Sequence, residues 1–186
     1  MNIGTDKIPL EERREIPHHL IDVALPSQRF TVADFKKIFG IVSGEIIDRF
    51  AIPMLVGGTG LYIDAVTKNF LLPPQSPEIR KTLMKELQDH GKERLHQKLL
   101  DVDPKSAKRI HPNNTPYVVR ALEIYMQTGQ PKNDKRGESD FLILKIGLLW
   151  PREELYERIN MRVDEQIERG LVEETKMLLE KGFSKD

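Results

Sequence analysis

Gly57-Gly58-Thr59-Gly60 follows a short apolar run and precedes a helical pattern. Glycines at the end of a strand let backbone N–H groups approach an anion, and the N-terminus of the next helix adds positive partial charge. The Thr59 hydroxyl can donate to a phosphate or accept from a substrate amine. The same four residues also suit a tight strand-to-helix turn with no ligand, and spacing alone does not choose. Neither G-x-x-x-x-G-K-[ST] nor G-x-G-x-x-G occurs in the chain. Arg158 and Arg162 stand four apart, so on a helix they share a face and could clamp a diphosphate with forked hydrogen bonds. Against that, Glu154, Glu157 and Glu165 would make the face a balanced, solvated one. His18, His19 and Asp22 raise a metal reading, but adjacent histidines on a strand point to opposite faces, which makes shared coordination awkward. Arg80, Lys81, Lys108, Arg109, His111 and Arg120 scatter basic charge that suits phosphate contacts and solubility equally.

Positioning these groups requires the following elements. Ile52–Val56 reads as a short buried strand feeding the glycine turn, and Leu61–Lys68 as the helix after it. Strand, glycine turn, helix is the order of an α/β fold, whose ligands sit at the carboxyl ends of strands. Residues 1–30 read as loop-rich, punctuated by Gly4, Pro9, Pro17 and Pro26, with His19–Leu25 a short strand or its approach. Thr31 to about Arg49 is helical, capped by Thr31, with Phe35, Ile38, Phe39, Val42 and Ile46 at helical spacing. After a Pro-containing linker the style changes to short helices. Ser76-Pro77 opens the first, which Gly91 stops, and the second runs to about Leu100. Asp103-Pro104 opens a third and Thr115-Pro116 a fourth, ended by Gly129 and Pro131. Residues 132–140 are a polar loop. Phe141–Trp150 is almost wholly apolar and reads as a strand buried on both faces. Pro151 starts a long helix with Leu155, Ile159, Val163 and Ile167 at steps of four; Gly170 interrupts it and Leu171–Lys181 continues. The fold class is α/β: an incomplete parallel-sheet core, 1–74 with 141–186, and an all-helical insertion, 75–140.

The chain has 186 residues, enough for one domain or a core with a small insertion. Its 29 basic and 29 acidic residues balance, so global charge does not announce a nucleic-acid binder. Residues 75–143 carry 13 Lys+Arg against 10 Asp+Glu, a local net of +3. The absence of cysteine excludes disulfides and thiolate metal sites and suits a reducing cytosol. No apolar run approaches a membrane span, and the polar N-terminus is no signal peptide.

Longer phrases carry more. IGTDKIPLEERREIPHHLIDV, FTVADF, IPMLVGGTGLYIDAV, LLDVDPKSAKRIHPNN, RALEIYMQTGQP and LYERINMRVDEQIERGLVEE occur in that order. Together, over nearly the whole chain, they resemble the tRNA dimethylallyltransferase family. The resemblance implies a P-loop-kinase-like core with a helical insertion that grips the tRNA anticodon stem-loop. It also implies Mg²⁺-dependent transfer of a dimethylallyl group from dimethylallyl diphosphate to N6 of a flipped-out adenine beside the anticodon, in a cytoplasmic enzyme that is monomeric when complete. Thr59 matches the family's active-site threonine, which meets the target adenosine. Arg162 matches a catalytic arginine on the diphosphate, shared with Arg158, Gly57 and Gly58. Arg80 matches a tRNA contact, and Arg120 closes a further segment that meets tRNA. Tyr117 falls in that segment, where Thr115-Pro116-Tyr117 replaces a stretch that often holds Gln or Arg. No residue is assigned to a metal.

The family's phosphate-binding loop and the segment supplying its general base precede the IGT phrase and are absent here. Relatives also continue beyond Asp186. The chain is therefore expected to be truncated at both ends and a poor catalyst by itself. Two other readings compete: a non-catalytic tRNA-binding remnant, and a relative of small-molecule P-loop kinases, against which the IHPNN and RALE phrases argue.

Overall fold

The computed structural model describes residues 1–71, 73, 75–131, 137, 139 and 141–183. Leu72 and Pro74 of the linker, and the polar loop expected at 132–140 apart from Gly137 and Ser139, lie outside the described residues. The chain divides into two compact units, residues 64–140 and residues 1–63 with 141–186. Helix α1 is Val32–Asp48, α2 Gly60–Thr67, α3 Pro77–Val102, α4 Pro104–Arg109, α5 Thr115–Thr128, α6 Arg152–Glu168 and α7 Leu171–Glu180. The division falls within α2.

Unit 64–140 is helical and has a closed core. Pro77 occupies the first turn of α3, and the Ser76 hydroxyl accepts from the Ile79 N–H at 3.3 Å, satisfying one of the donors a helix start leaves open. Gly91 breaks α3 with φ 79° and ψ 171°, a conformation that side-chain-bearing residues avoid. Lys98 Nζ therefore reaches Glu86 Oε2 at 2.6 Å. In a straight helix those residues would sit about 18 Å apart along the axis, so the two halves of α3 fold back on each other. The buried Asp103 carboxylate caps α4, accepting from the Ser106 N–H at 3.0 Å. Gly129, at φ 66°, ends α5. Leu83, Leu95 and Leu99 from α3, Ala107 from α4, and Val118, Val119, Ala121 and Leu122 from α5 form one buried cluster. Each leucine so buried contributes about 1.5–3 kcal/mol.

Unit 1–63 with 141–186 contains α1, α6 and α7. Thr31 and Asp34 close a reciprocal capping box at the start of α1. Phe35 stacks on Tyr62 at 4.5 Å between ring centroids, and Phe39 meets Phe141 edge-on at 6.0 Å. Gly170, at φ 96°, separates α6 from α7. The first residues dock on these helices: the Asn2, Ile3 and Gly4 N–H groups converge on the Glu174 carboxylate at 2.5, 3.2 and 2.9 Å. The Gln166 amide also donates to the Ile3 carbonyl.

The expected parallel sheet is not formed. Among the described residues there is no β-strand, only an isolated bridge at Phe70. Ile52–Val56 and Phe141–Trp150 form neither helix nor strand, and no backbone ladder engages them. Ile52, Met54, Val56, Leu142, Leu144, Ile146, Leu148 and Leu149 are all largely exposed. The reason is that a strand, unlike a helix, obtains every backbone hydrogen bond from a neighbour. His19–Leu25 is not a strand either, since Leu20 and Asp22 take left-handed φ values of 58°. The stripe Leu155, Ile159, Val163 and Ile167 on α6 is likewise only half-covered.

Candidate functional site

Gly57, Gly58 and Thr59 lie exposed immediately before α2. The Thr59 carbonyl accepts from the Tyr62 and Ile63 N–H groups at 3.0 and 3.2 Å, which pins the turn to the first turn of the helix. Gly57 has φ 157°, and a Cβ at Gly57, Gly58 or Gly60 would meet no atom within 4 Å. The turn is thus open to solvent along its length. Its glycines are not required by close packing within this chain, which leaves room for a ligand against the backbone.

Arg158 and Arg162 share α6, as their spacing predicts, but they are held differently. Arg162 Nε lies 3.1 Å from Asp6 Oδ2, and Arg169 reaches the other oxygen of Asp6 at 3.7 Å. The Arg158 guanidinium carbon lies over the Trp150 ring, 4.4 Å from its centroid. Trp150 is half-exposed, contrary to the buried position expected at the end of a two-sided strand. The indole lacks a covering layer because its segment has no neighbouring strand. Among the described residues no hydrogen bond or ion pair joins the glycine turn to either arginine.

Arg80 is half-buried in the first turn of α3, and Tyr117 is exposed near the start of α5. Arg120 is held from two sides. Its Nη1 donates to Glu123 Oε2 at 2.9 Å and its Nη2 to the Pro73 carbonyl at 2.6 Å. The other oxygen of Glu123 accepts from the Ser76 N–H at 2.7 Å, and Glu123 is fully buried. This clasp fastens Pro73 and Ser76 to α5. The spacing Arg120/Glu123, three apart on a helix, was the available signal for it. Asp6 as the partner of Arg162 left no such signal, because nothing local links residues so far apart in sequence.

The metal reading at His18, His19 and Asp22 receives no support. Asp22 pairs with Lys7, and His18 Nδ1 contacts the Ile16 carbonyl at 2.7 Å. Among the described residues no group of three or more His, Asp or Glu side chains converges to hold a cation. No helix is long and apolar enough to cross a membrane.

The proteins that match the chain from end to end fall in one enzyme class, the prenyl-transferring tRNA-modifying enzymes. The chain belongs to the IPP transferase family, whose model matches residues 1–186. It is 45% identical over 188 residues to the tRNA dimethylallyltransferase of Halothermothrix orenii, covering 97% of this chain and 57% of that protein. With the enzyme of the same name from Halalkalibacterium halodurans it shares 43% over 190 residues, covering 98% of this chain and 60% of that one. Among solved structures it is similar to the full-length tRNA isopentenylpyrophosphate transferase of Bacillus halodurans, with a TM-score of 0.64 and 43% identity. That match covers all of this chain and 59% of the other. A eukaryotic dimethylallyltransferase acting on tRNA matches 96% of this chain, and 46% of its own, with a TM-score of 0.79 at 30% identity. The chain spans about three fifths of the length of the curated relatives it matches.

Proposed function

We propose that this chain supplies the acceptor-positioning and tRNA-gripping portion of a cytoplasmic tRNA dimethylallyltransferase. The reaction is transfer of a dimethylallyl group from dimethylallyl diphosphate to N6 of an adenine beside the anticodon. The observation that carries this reading is the family match along the whole chain, glycine turn and α6 arginines included. In the reaction the adenine N6 lone pair forms a bond to C1 of the dimethylallyl group as the C1–O bond breaks. The diphosphate leaves with that electron pair, and one N6 proton passes to a base.

The residues present divide this work. The exposed Thr59 hydroxyl orients the adenine amine, because a hydrogen bond there fixes the direction of attack. Gly57 and Gly58 let backbone amides approach the diphosphate, and Arg158 and Arg162 meet charge as it develops on the leaving group. Arg80, Tyr117 and the face around Arg120 contact the anticodon stem-loop. Within that face the Glu123 clasp makes Arg120 a fixed feature of the surface rather than a mobile arm. Mg²⁺ accompanies such diphosphate chemistry, but the side chains described here do not converge into a site for it, so no step is routed through it. The general base and the lysine-bearing phosphate loop are likewise not among these residues.

Joining this chain to the complementary portion of the Halothermothrix orenii enzyme should give prenyl-adenosine on an anticodon stem-loop, whereas the chain alone should give none. In the joined enzyme, Thr59→Ala should lower turnover about ten- to a thousandfold. Arg80→Ala should weaken tRNA binding and flatten its salt dependence, because a lost phosphate contact no longer releases counterions. A joined enzyme that folds and binds tRNA but forms no product would overturn the reading in favour of a tRNA-binding module.

A further inference from the structure

We propose that Trp150 is a positioning residue for Arg158, presenting its guanidinium to a diphosphate. The inference rests on the reading of α6 as part of the diphosphate site and adds a residue to it that no motif assigns. A guanidinium carries its N–H donors at its edge, in its own plane. Contact between the Arg158 guanidinium carbon and the indole face, 4.4 Å from the ring centroid, therefore fixes the group without consuming those donors. Among the described residues Arg158 is in no ion pair, although Glu154 and Glu157 are close in sequence. The other arginines of α6 differ: Arg162 is tied to Asp6, and Arg152 donates from Nε to the Tyr156 hydroxyl at 3.0 Å. Arg158 is thus the arginine of this helix that is held in place with its donors open.

The indole is itself held. Trp150 precedes Pro151, and a residue before proline is confined to extended backbone. Pro151 forms the N-cap of α6 with φ −52°. The ring position is therefore coupled to the start of the helix that carries Arg158. Fixing a cationic fork before the anion arrives removes the ordering cost a free arginine side chain would bear on binding.

The test is calorimetric titration of inorganic pyrophosphate into the full 186-residue chain and its variants, each checked for unchanged circular dichroism. Arg158→Ala should weaken binding about tenfold or more. Trp150→Leu, with Arg158 intact, should weaken it about three- to fivefold, the contribution of a partly exposed cation–π contact. Trp150→Phe should restore binding to within about twofold, since it keeps an aromatic face. Trp150 is the chain's single tryptophan, so its emission should also shift as pyrophosphate binds. If Trp150→Leu binds like wild type while Arg158→Ala does not, the positioning role is overturned and the diphosphate reading stands. If wild type binds no pyrophosphate, if Arg158→Ala binds as wild type does, or if an RNA oligonucleotide binds at Arg158 and pyrophosphate does not, both fail.

Discussion

Residues 64–140 and the remainder of the chain have similar side chains available and reach opposite outcomes. In the helical unit Leu83, Leu95 and Leu99 of α3 and the aliphatic face of α5 are enclosed. In the other unit Leu142, Leu144, Ile146, Leu148 and Leu149 stand in solvent, and Phe35 is the one hydrophobic residue buried among those described. Hydrophobicity alone does not explain the contrast, because 141–150 is the most apolar stretch in the sequence. The explanation is the range of the hydrogen bonds. A helix satisfies its own backbone and needs only a face to pack, which neighbours in sequence supply. An apolar extended segment needs flanking strands before burial becomes favourable.

The sharpest way to break the comparison is to separate the units. A polypeptide of residues 64–140 should unfold cooperatively in urea with a helical spectrum, while one of residues 1–63 should show no cooperative transition. A non-cooperative 64–140 polypeptide would end the contrast. Within the whole chain, Leu99→Ala should cost about 2–5 kcal/mol by leaving a cavity. Leu144→Ala should change stability by less than about 0.5 kcal/mol, as for other exposed sites. Urea midpoints of the two variants compare the units directly. Glu123→Ala removes the acceptor shared by Arg120 Nη1 and the Ser76 N–H and should cost about 3 kcal/mol, with Glu123→Gln recovering part of that loss. A loss under about 1 kcal/mol would mean the clasp is ornamental. Ile146→Lys should lower the chain's tendency to associate, read by light scattering, because a charge on an unpaired extended segment discourages edge-to-edge pairing.

The smallest expected effect concerns pH. The Asn2 N–H, followed by those of Gly4 and Ile3 and the N-terminal charge, holds the Glu174 carboxyl below its ordinary 4.5. A carboxylate whose folded pKa is depressed adds stability that is complete above its unfolded value and lost as pH falls through the folded value. Docking of residues 2–4 should therefore persist at neutral pH and loosen only below about 4.5, seen as faster amide exchange at Gly4. The amides of α3–α5 should not follow it.

How much the sequence disclosed tracks the same division. The caps at Thr31, Ser76 and Asp103, the stops at Gly91, Gly129 and Gly170, and hence every long helix, are readable because they depend on neighbours within four residues. The sheet was expected from Ile52–Val56 and Phe141–Trp150, whose composition signals burial but not what would supply it. At the site, the glycine turn and the spacing of Arg158 and Arg162 are local and legible. The Arg162–Asp6 pair and the Trp150–Arg158 contact are not, since they depend on where loops bring side chains. The Arg120–Glu123 pair is within reach of the sequence, because an acid three residues on shares the helix face.

Gly91 has a further consequence, for the rate at which the helical unit forms. Were α3 straight, Leu83 and Leu95 would project about 120° apart around its axis. The left-handed residue turns them into one core while separating them by only twelve positions in sequence. The contacts between the two halves of α3 are therefore short-range, and helical units fold in microseconds to milliseconds, even though the Ser76–Glu123 clasp closes over 47 residues. Translation adds about 5–20 residues per second, so this unit should be complete while the ribosome is still adding the residues of α6.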